Sequence, residues 1–404
     1  MLHTPLGQYL TVTASYWVFT LSDGALRMLV VLFFHQLGYS PLEVAMLFVL
    51  YEFFGIVTNL LGGWLAARIG LNVTMQVGLL LQVVALAMLL VEQTLLTVGY
   101  VMVAQALSGI AKDLNKMSAK SSIKMLIPSE AQGRLYRWVA LLTGSKNTMK
   151  GIGFFLGGAL LAGPGFQGAI LVMACVLLVV WFASCFLLEH ELGKMRYKPK
   201  FQDIFSKSRA INQLSAVRFF LFGARDIWFV IALPVYLQTQ HDWGHIQVGT
   251  LMASWVIAYG LVQAFAPKIT GQGSDNHPDG RTARVWAVGL MCIPLVIATL
   301  IQLDVFVFTS LIAGLMVFGV VFAINSSMHS YLIVAYAREE GASLDVGFYY
   351  MANAAGRLFG TVLSGLVFQV FGFVSCLLIS SVMLVVGALL TARLPYQDAT
   401  RRYE

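Results

Sequence analysis

Of 404 residues, 58% are hydrophobic and only 11% are Asp, Glu, Lys or Arg, less than half the roughly 25% charged share of an ordinary soluble domain. That composition excludes a soluble globular enzyme, a disordered chain and a nucleic-acid-binding domain, despite a formal net charge of +7. In so apolar a chain the position of each cation matters more than the sum, because cations beside membrane spans orient them and cations inside spans serve a purpose.

A membrane-crossing helix needs about 20 predominantly apolar residues. Residues 1–8 hold no Lys or Arg, and the apolar stretch that follows runs past signal-peptide length, so it is predicted to be a retained span one, over 10–35. Eleven more follow at 42–67, 73–91, 95–126, 136–162, 166–188, 211–238, 247–268, 285–302, 305–336, 343–371 and 373–393. The connections alternate in charge. One set carries Arg68; Arg134 and Arg137; Lys194, Arg196, Lys198, Lys200, Lys207 and Arg209; Lys268, Arg281 and Arg284; Arg338; and Arg393, Arg401 and Arg402. The other set holds Glu92, Asp304 and His241-Asp242-x-x-His245, with no Lys or Arg. The excess of cations on one side predicts that both termini and the long loop 189–210 are cytoplasmic.

The expected fold is therefore an all-α integral membrane protein of twelve transmembrane helices. Residues 1–190 and 211–404 form two six-helix halves joined by a basic linker over 191–210. A repeat supports the division. Lys150-Gly151-Ile152-Gly153, then Gly158, in span five matches Arg357-Leu358-Phe359-Gly360, then Gly365, in span eleven. Each half thus places a cation beside a small-residue helix-packing face. This architecture resembles the major facilitator superfamily, whose substrate sites lie near the midplane between repeats.

Leaving aside loop and interface positions, nine cations fall inside the spans: Arg27, Lys112, Lys116, Lys120, Lys146, Lys150, Arg218, Arg225 and Arg357. Four anions accompany them there: Asp23, Glu52, Asp113 and Asp226. Each costs several kcal/mol at depth unless paired or facing water. Five surplus cations have no stability rationale, whereas an anionic ligand would supply one. At about 1.5 Å per residue, Asp23, Lys112, Lys150, Arg225 and Arg357 lie within a turn or so of the midpoints of spans one, four, five, seven and eleven. In the superfamily that the architecture resembles, these spans line or flank the cavity. Cys175, Cys185, Cys292 and Cys376 fall instead on the peripheral spans six, nine and twelve.

Lys112, Lys116, Lys120 and Lys124 repeat at i,i+4, making one slowly winding stripe on span four. Like charges at that spacing repel, so the stripe should face water or an anion. Snorkelling to the cytoplasmic interface is the alternative for Lys120 and Lys124. Asp23 and Arg27, also at i,i+4, suggest an internal ion pair or a ligand contact. Arg218 and Arg225 share a face of span seven, and Arg225 with Asp226 can pair with neighbouring helices. Arginine's bidentate fork matches phosphate-like oxyanions, favouring Arg225 and Arg357 as ligand contacts. Span ten gathers Asn325, Ser326, Ser327, His329, Ser330 and Tyr331. Asn325 is taken as a substrate contact, and His329 as a structural histidine or a titrating one. Asp23, Glu52, Asp113 and Asp226 are candidate proton carriers or ion-pair partners.

No Cys or His spacing supports zinc or a disulfide framework, and no metal, cofactor or catalytic constellation is expected. The pair His241 and His245 lies in an outside loop. The segment Gly63-Trp64-Leu65-Ala66-Ala67-Arg68-Ile69-Gly70-Leu71-Asn72 resembles the superfamily's loop between spans two and three. Ala67 stands there where an acid is usual, and Asn72 where a base is usual, which removes the usual charge relay.

Three segments together resemble the ArsJ family of organoarsenical efflux permeases. They are Ser22-Asp23-Gly24-Ala25-Leu26-Arg27-Met28, Tyr51-Glu52-Phe53-Phe54-Gly55, and the lysine-rich run from Gly109 through Lys112-Asp113-Leu114-Asn115-Lys116 to Lys124. The resemblance spans the chain and implies export of 1-arseno-3-phosphoglycerate from a bacterial cell across its inner membrane by alternating access, conferring arsenate resistance. It also implies a partner glyceraldehyde-3-phosphate dehydrogenase that makes the ester from arsenate. The residues suit such a substrate: two oxyanionic ends call for two cation clusters, and no thiol on the cavity helices offers a ligand for trivalent arsenic. An organophosphate or phosphate antiporter of the same fold is the alternative. A monomer in the bilayer, with no nucleic acid, is expected.

Overall fold

The computed structural model describes residues 4–39, 47–127, 132–189, 192–195, 199–204, 208–271 and 277–395. Among these, every regular element is a helix. Spans one to six are the helices Pro5–Gln36, Val49–Ile69, Leu71–Met88, Val98–Leu126, Gln132–Ala162 and Gly165–Leu187. Spans eight, nine and ten are His245–Ile269, Gly280–Gln302 and Val307–Tyr336. The predicted start of span two, residues 42–46, and the orienting cations Arg196, Lys198, Lys207, Arg401 and Arg402 lie outside the described residues.

Two spans depart from the simple reading. Span seven, predicted continuous over 211–238, is two helices, Arg209–Phe229 and Ala232–His241. Pro234 explains the break: it has no N–H, and its ring would clash with the carbonyl four residues earlier, at Val230, in a continuous helix. The freed Ala232 N–H donates instead to Ser364 Oγ at 3.1 Å. Spans eleven and twelve follow each other without a loop in Ala342–Thr391, and the chain turns between them at Gly372, whose φ is +78°. Only glycine adopts that angle without strain.

Nine helices among the described residues are long and apolar enough to cross a membrane, the last of them long enough to cross twice. Spans four and five miss that apolarity because of their lysines and arginines. At 29 and 31 residues and about 1.5 Å per residue, each still exceeds the roughly 30 Å hydrocarbon thickness. Twelve spans result.

The chain forms two compact units. The first comprises Met1–Ala131, Ser145–Phe205 and Ala337–Met351. Here span four packs along span three through small polar side chains, with Ser118 Oγ donating to the Leu71 carbonyl. The linker is fastened to the turn between spans two and three. Leu71 N–H donates to Leu192 O and Met195 N–H to Ala67 O, both at 2.9 Å. Asn72 Nδ2 donates to Glu189 O at 2.7 Å, and Trp64 Nε1 to Pro199 O at 3.0 Å. The two positions that lack the superfamily's usual charges thus hold the linker by neutral hydrogen bonds.

The second unit comprises Gln132–Gly144, Ser206–Tyr336 and Ala352–Glu404. Its core is aromatic: the Trp255 ring stacks on Tyr259 at 5.4 Å and its Nε1 donates to Leu315 O at 3.1 Å, while Trp228 meets Phe318 edge-on at 5.1 Å.

The repeated glycines mark equivalent helix crossings, one in each unit. A Cβ on Gly153 would lie 2.5 Å from Leu21 O of span one, and one on Gly360 would strike the Gly223 carbonyl of span seven. The second glycine of each predicted motif is not the contact, since a Cβ on Gly158 would meet only Leu32 at 3.8 Å and one on Gly365 meets open space. Gly157 and Gly356, each four residues from the crossing glycine, take that part, against Ala25 and Phe219. The packing face has the small-xxx-small spacing of membrane helix pairs.

Candidate functional site

In the first unit, Arg27, Lys112, Lys116 and Lys120 meet Asp23, Glu52 and Asp113. Arg27 does not pair within its helix: its Nη2 lies 2.9 Å from Glu52 Oε1 of span two. Asp23 accepts instead from the Tyr51 hydroxyl at 2.7 Å. The Tyr51 ring lies between these groups, its centroid 4.7 Å from the Arg27 guanidinium carbon and 3.8 Å from Lys112 Nζ. Phe48 backs Arg27 at 5.1 Å. Asp113, almost fully buried, takes Lys116 Nζ on Oδ1 at 2.5 Å and has Lys112 Nζ 3.9 Å from Oδ2.

The lysine stripe closes from Lys112 to Lys120 and reopens to partial exposure at Lys124. The Lys112 and Lys116 side chains are 20% and 14% exposed, whereas Lys120 is 4% exposed as a residue. Lys120 does not snorkel: its Nζ donates to the Tyr350 hydroxyl. Lys116 and Lys120 each lie 4.8 Å from the Tyr350 ring centroid. On span five, Lys146 Nζ donates to Asn147 Oδ1 at 3.2 Å and Lys150 Nζ is 5.9 Å from the Phe154 ring. Both are partly exposed.

The second unit gathers Arg225 and Arg357 around Asp226, with Arg218 on the same Phe222 ring as Arg225. Asp226 is wholly buried and shared. Arg225 Nε donates to Oδ1 at 2.6 Å, and Arg357 Nε donates to Oδ2 at 3.1 Å. The Arg225 and Arg357 side chains remain 13% and 31% exposed. Arg218, 3% exposed, is held by protein groups: its Nε donates to Asn353 Oδ1 at 2.9 Å and its Nη1 to Ser326 Oγ at 3.1 Å. Phe222 lies beneath two of these cations, its ring 4.0 Å from Arg218 and 4.8 Å from Arg225.

Asn325 is completely buried, and neither its amide nitrogen nor its oxygen has a hydrogen-bond partner; the same holds for both ring nitrogens of His329. Ser326, their neighbour, reaches Arg218, and the Phe322 ring of the same span faces Arg225 at 5.4 Å. His241 packs its ring on Phe308 at 5.1 Å and Tyr236 at 5.7 Å, and the His245 side chain lies outside the described residues. Among the described residues no group of three or more His, Cys, Asp or Glu side chains is placed to hold a metal ion. All four cysteines are free thiols.

The aromatic platforms Tyr51, Tyr350 and Phe222, and the amide of Asn353, are what sequence reasoning missed. Phe222 was legible, standing four residues after Arg218 and three before Arg225, on the same helix face. Tyr51 lies beside Glu52, within a segment already marked by its resemblance. Tyr350 carries no local signal, because its partner Lys120 is 230 residues away. Chemically, the two clusters offer partly exposed cations, each supported by a carboxylate or an aromatic face, with six cations against three anions in the first unit and three against one in the second. Such groups bind oxyanions.

The fold recurs in solved transporters. The human organic anion transporter MFSD10 (TETRAN) superposes with a TM-score of 0.76 at 16% identity, covering 95% of this chain and 98% of that one. The E. coli fucose:proton symporter FucP superposes at 0.73 with 10% identity, covering 98% and 100%. A bacterial homologue of the iron transporter ferroportin superposes at 0.73 with 12% identity, covering 96% and 98%. A comparison with curated protein sequences gives no match. The Major Facilitator Superfamily model matches twice, over residues 12–271 and 214–403. With both halves matched and the twelve-span helical fold in place, the chain belongs to the Major Facilitator Superfamily.

Proposed function

We propose that this protein exports a small organic oxyanion by alternating access, and that the oxyanion is 1-arseno-3-phosphoglycerate. The coarser part follows from membership: proteins of the superfamily carry small solutes across lipid bilayers. One observation carries the choice of an anion. Away from the interfaces the spans hold nine cations and four carboxylates, and partly exposed ones, Lys112 and Lys116 in one unit and Arg225 and Arg357 in the other, belong to two separate clusters.

Both clusters suit an oxyanionic solute: lysine ammonium groups bind oxyanions as mobile point charges, and Arg225 and Arg357 present planar forks. The absence of cysteine from the cation-bearing spans suits pentavalent arsenic or phosphorus and leaves arsenite without thiolate ligands. The arsenic itself rests on the resemblance of the Asp23–Arg27, Tyr51–Gly55 and Gly109–Lys124 segments to the ArsJ permeases. In that reading a glyceraldehyde-3-phosphate dehydrogenase supplies the ester on the cytoplasmic side of a bacterial inner membrane. The basic loops, both termini included, then face the cytoplasm.

Inverted membrane vesicles test the proposal. Supplied with arsenate, glyceraldehyde 3-phosphate and the dehydrogenase, vesicles containing the protein should accumulate arsenic, and protein-free vesicles should not. Equal accumulation in both would overturn the export reading. Uptake of 3-phosphoglycerate or glycerol phosphate without arsenate would assign the protein instead to ordinary organophosphates. Lys112→Ala or Arg225→Ala should abolish uptake with the protein still present in the membrane.

A further inference from the structure

Lys120 faces a contradiction: it continues the lysine stripe, yet it is shut away from solutes. At 4% exposure, with its Nζ bonded to the Tyr350 hydroxyl and 4.8 Å from that ring, it can meet a solute only after Tyr350 moves. Tyr350 is itself 3% exposed and braced edge-on by the fully buried Tyr349 at 4.9 Å. Lys116 contacts the same ring while its charge is matched by Asp113. One tyrosine thus covers two lysines at the place where an oxyanion would bind them both.

The position of Tyr350 gives this arrangement a consequence. One turn earlier on span eleven, a Cβ on Gly347 would lie 2.7 Å from the Asn59 carbonyl and 3.2 Å from the Cα of Gly63, both on span two. Gly63 in turn lies against the Ser343 carbonyl. Below that, Arg338 Nη2 and Nε hold the two carboxylate oxygens of Asp345 at 2.8 and 3.0 Å. The segment 337–351 is held in the first unit by an uncharged backbone crossing, by the contacts of Tyr350 with Lys116 and Lys120, and by the attraction between Glu339 and Lys124. The lysine fastenings, unlike the backbone crossing, involve groups for which an anion competes. A lysine ammonium binds an oxyanion by a charge-assisted hydrogen bond, which is stronger than its contact with a phenol ring.

We infer that Tyr350 is a stand-in for the transported anion on Lys116 and Lys120, and that an arriving oxyanion displaces it and loosens the hold of span four on segment 337–351. This rests on the reading of the lysine stripe as an anion site. Tyr350 is a positioning residue: it holds the lysines until the solute takes them, and it couples occupancy to loosening of one end of span eleven.

The test uses the full-length protein in lipid nanodiscs with its four cysteines replaced and one reporter introduced, Ser343→Cys, at a site 3% exposed. Maleimide alkylation of the reporter is timed with and without 3-phosphoglycerate, with gluconate as the non-phosphorylated control. In the Tyr350 protein the phosphate ester should speed alkylation several-fold and gluconate should not. Tyr350→Leu should be fast without any anion, by about tenfold, the scale of losing one or two cation–π contacts. Tyr350→Phe, which keeps the ring and loses the hydroxyl, should fall between and guards against misfolding of the leucine variant.

An alkylation rate that neither 3-phosphoglycerate nor either substitution changes would overturn the inference. Vesicle uptake is measured on the same variants reconstituted in sealed vesicles. Intact arsenic uptake beside an unresponsive reporter sinks the Tyr350 mechanism alone. Absent uptake sinks the export reading, while the reporter's response to 3-phosphoglycerate still decides the role of Tyr350.

Discussion

The two cation clusters solve the same problem by different chemistry. In the first unit, each of several lysines has its own support: Asp113 for Lys116, the Tyr51 ring for Lys112, the Tyr350 hydroxyl for Lys120. In the second, Arg225 and Arg357 share the carboxylate of Asp226, and the Phe222 and Phe322 rings face Arg225. Lysines with separate supports tolerate the loss of one better than two arginines that share their acid.

Removing the central acid of each cluster probes that difference and should give the largest effect. Asp226→Asn leaves two partly buried guanidinium groups without a counter-ion and should cost about 3–5 kcal/mol, the usual penalty for stripping one partner from a buried pair. It will show as a large fall in detergent melting temperature or as loss of folded protein. Asp113→Asn should cost about half as much or less, since Lys112 and Lys116 keep their aromatic contacts. Equal melting shifts for the two variants would dissolve the distinction between the clusters.

The aromatic platforms come next. Tyr51→Leu removes two cation contacts and the hydrogen bond to Asp23, and about 2 kcal/mol is expected. Phe222→Leu removes ring faces alone, from Arg218 and Arg225, and about 1 kcal/mol is expected. The order is checked by thermal melts of both variants, and a costlier Phe222→Leu would mean that arginine, too, depends chiefly on its ring. The smallest stability effect should come from Lys150→Gln, a partly exposed cation whose ring contact is long, 5.9 Å. The melt should move by less than about 1 kcal/mol. Uptake should still fall several-fold, because a charge near mid-membrane depth is lost from the site.

How much of this was legible without coordinates depends on sequence distance. Twelve spans and the depth of the cations follow from length, apolarity and rise per residue, which act locally. Partner choice does not. Asp23 and Arg27 stand at ion-pair spacing, yet Tyr51 takes the first and Glu52 the second, because span two brings both groups against span one. Asn325 and Ser326 are adjacent and equally polar, and only the rotation of span ten decides that Ser326 meets Arg218. Pro234, by contrast, carries its own steric signal, and the break in span seven was readable from it. The repeat was visible as a cation and two glycines, but the crossing uses Gly153 with Gly157 and Gly356 with Gly360, a register that only the facing helix defines.

The surplus of charge in the spans also has an electrical meaning. Moving one elementary charge through a membrane potential is worth about 2.3 kcal/mol per 100 mV, and nine cations with four carboxylates leave five charges uncompensated in the empty protein. The multiply charged oxyanion proposed above would cancel most of them. The loaded carrier would then feel the cell's potential least, and the return of the empty carrier would be the step that voltage drives or opposes. Under that arrangement, depolarising the membrane changes the turnover of this protein more than it changes its affinity for cargo.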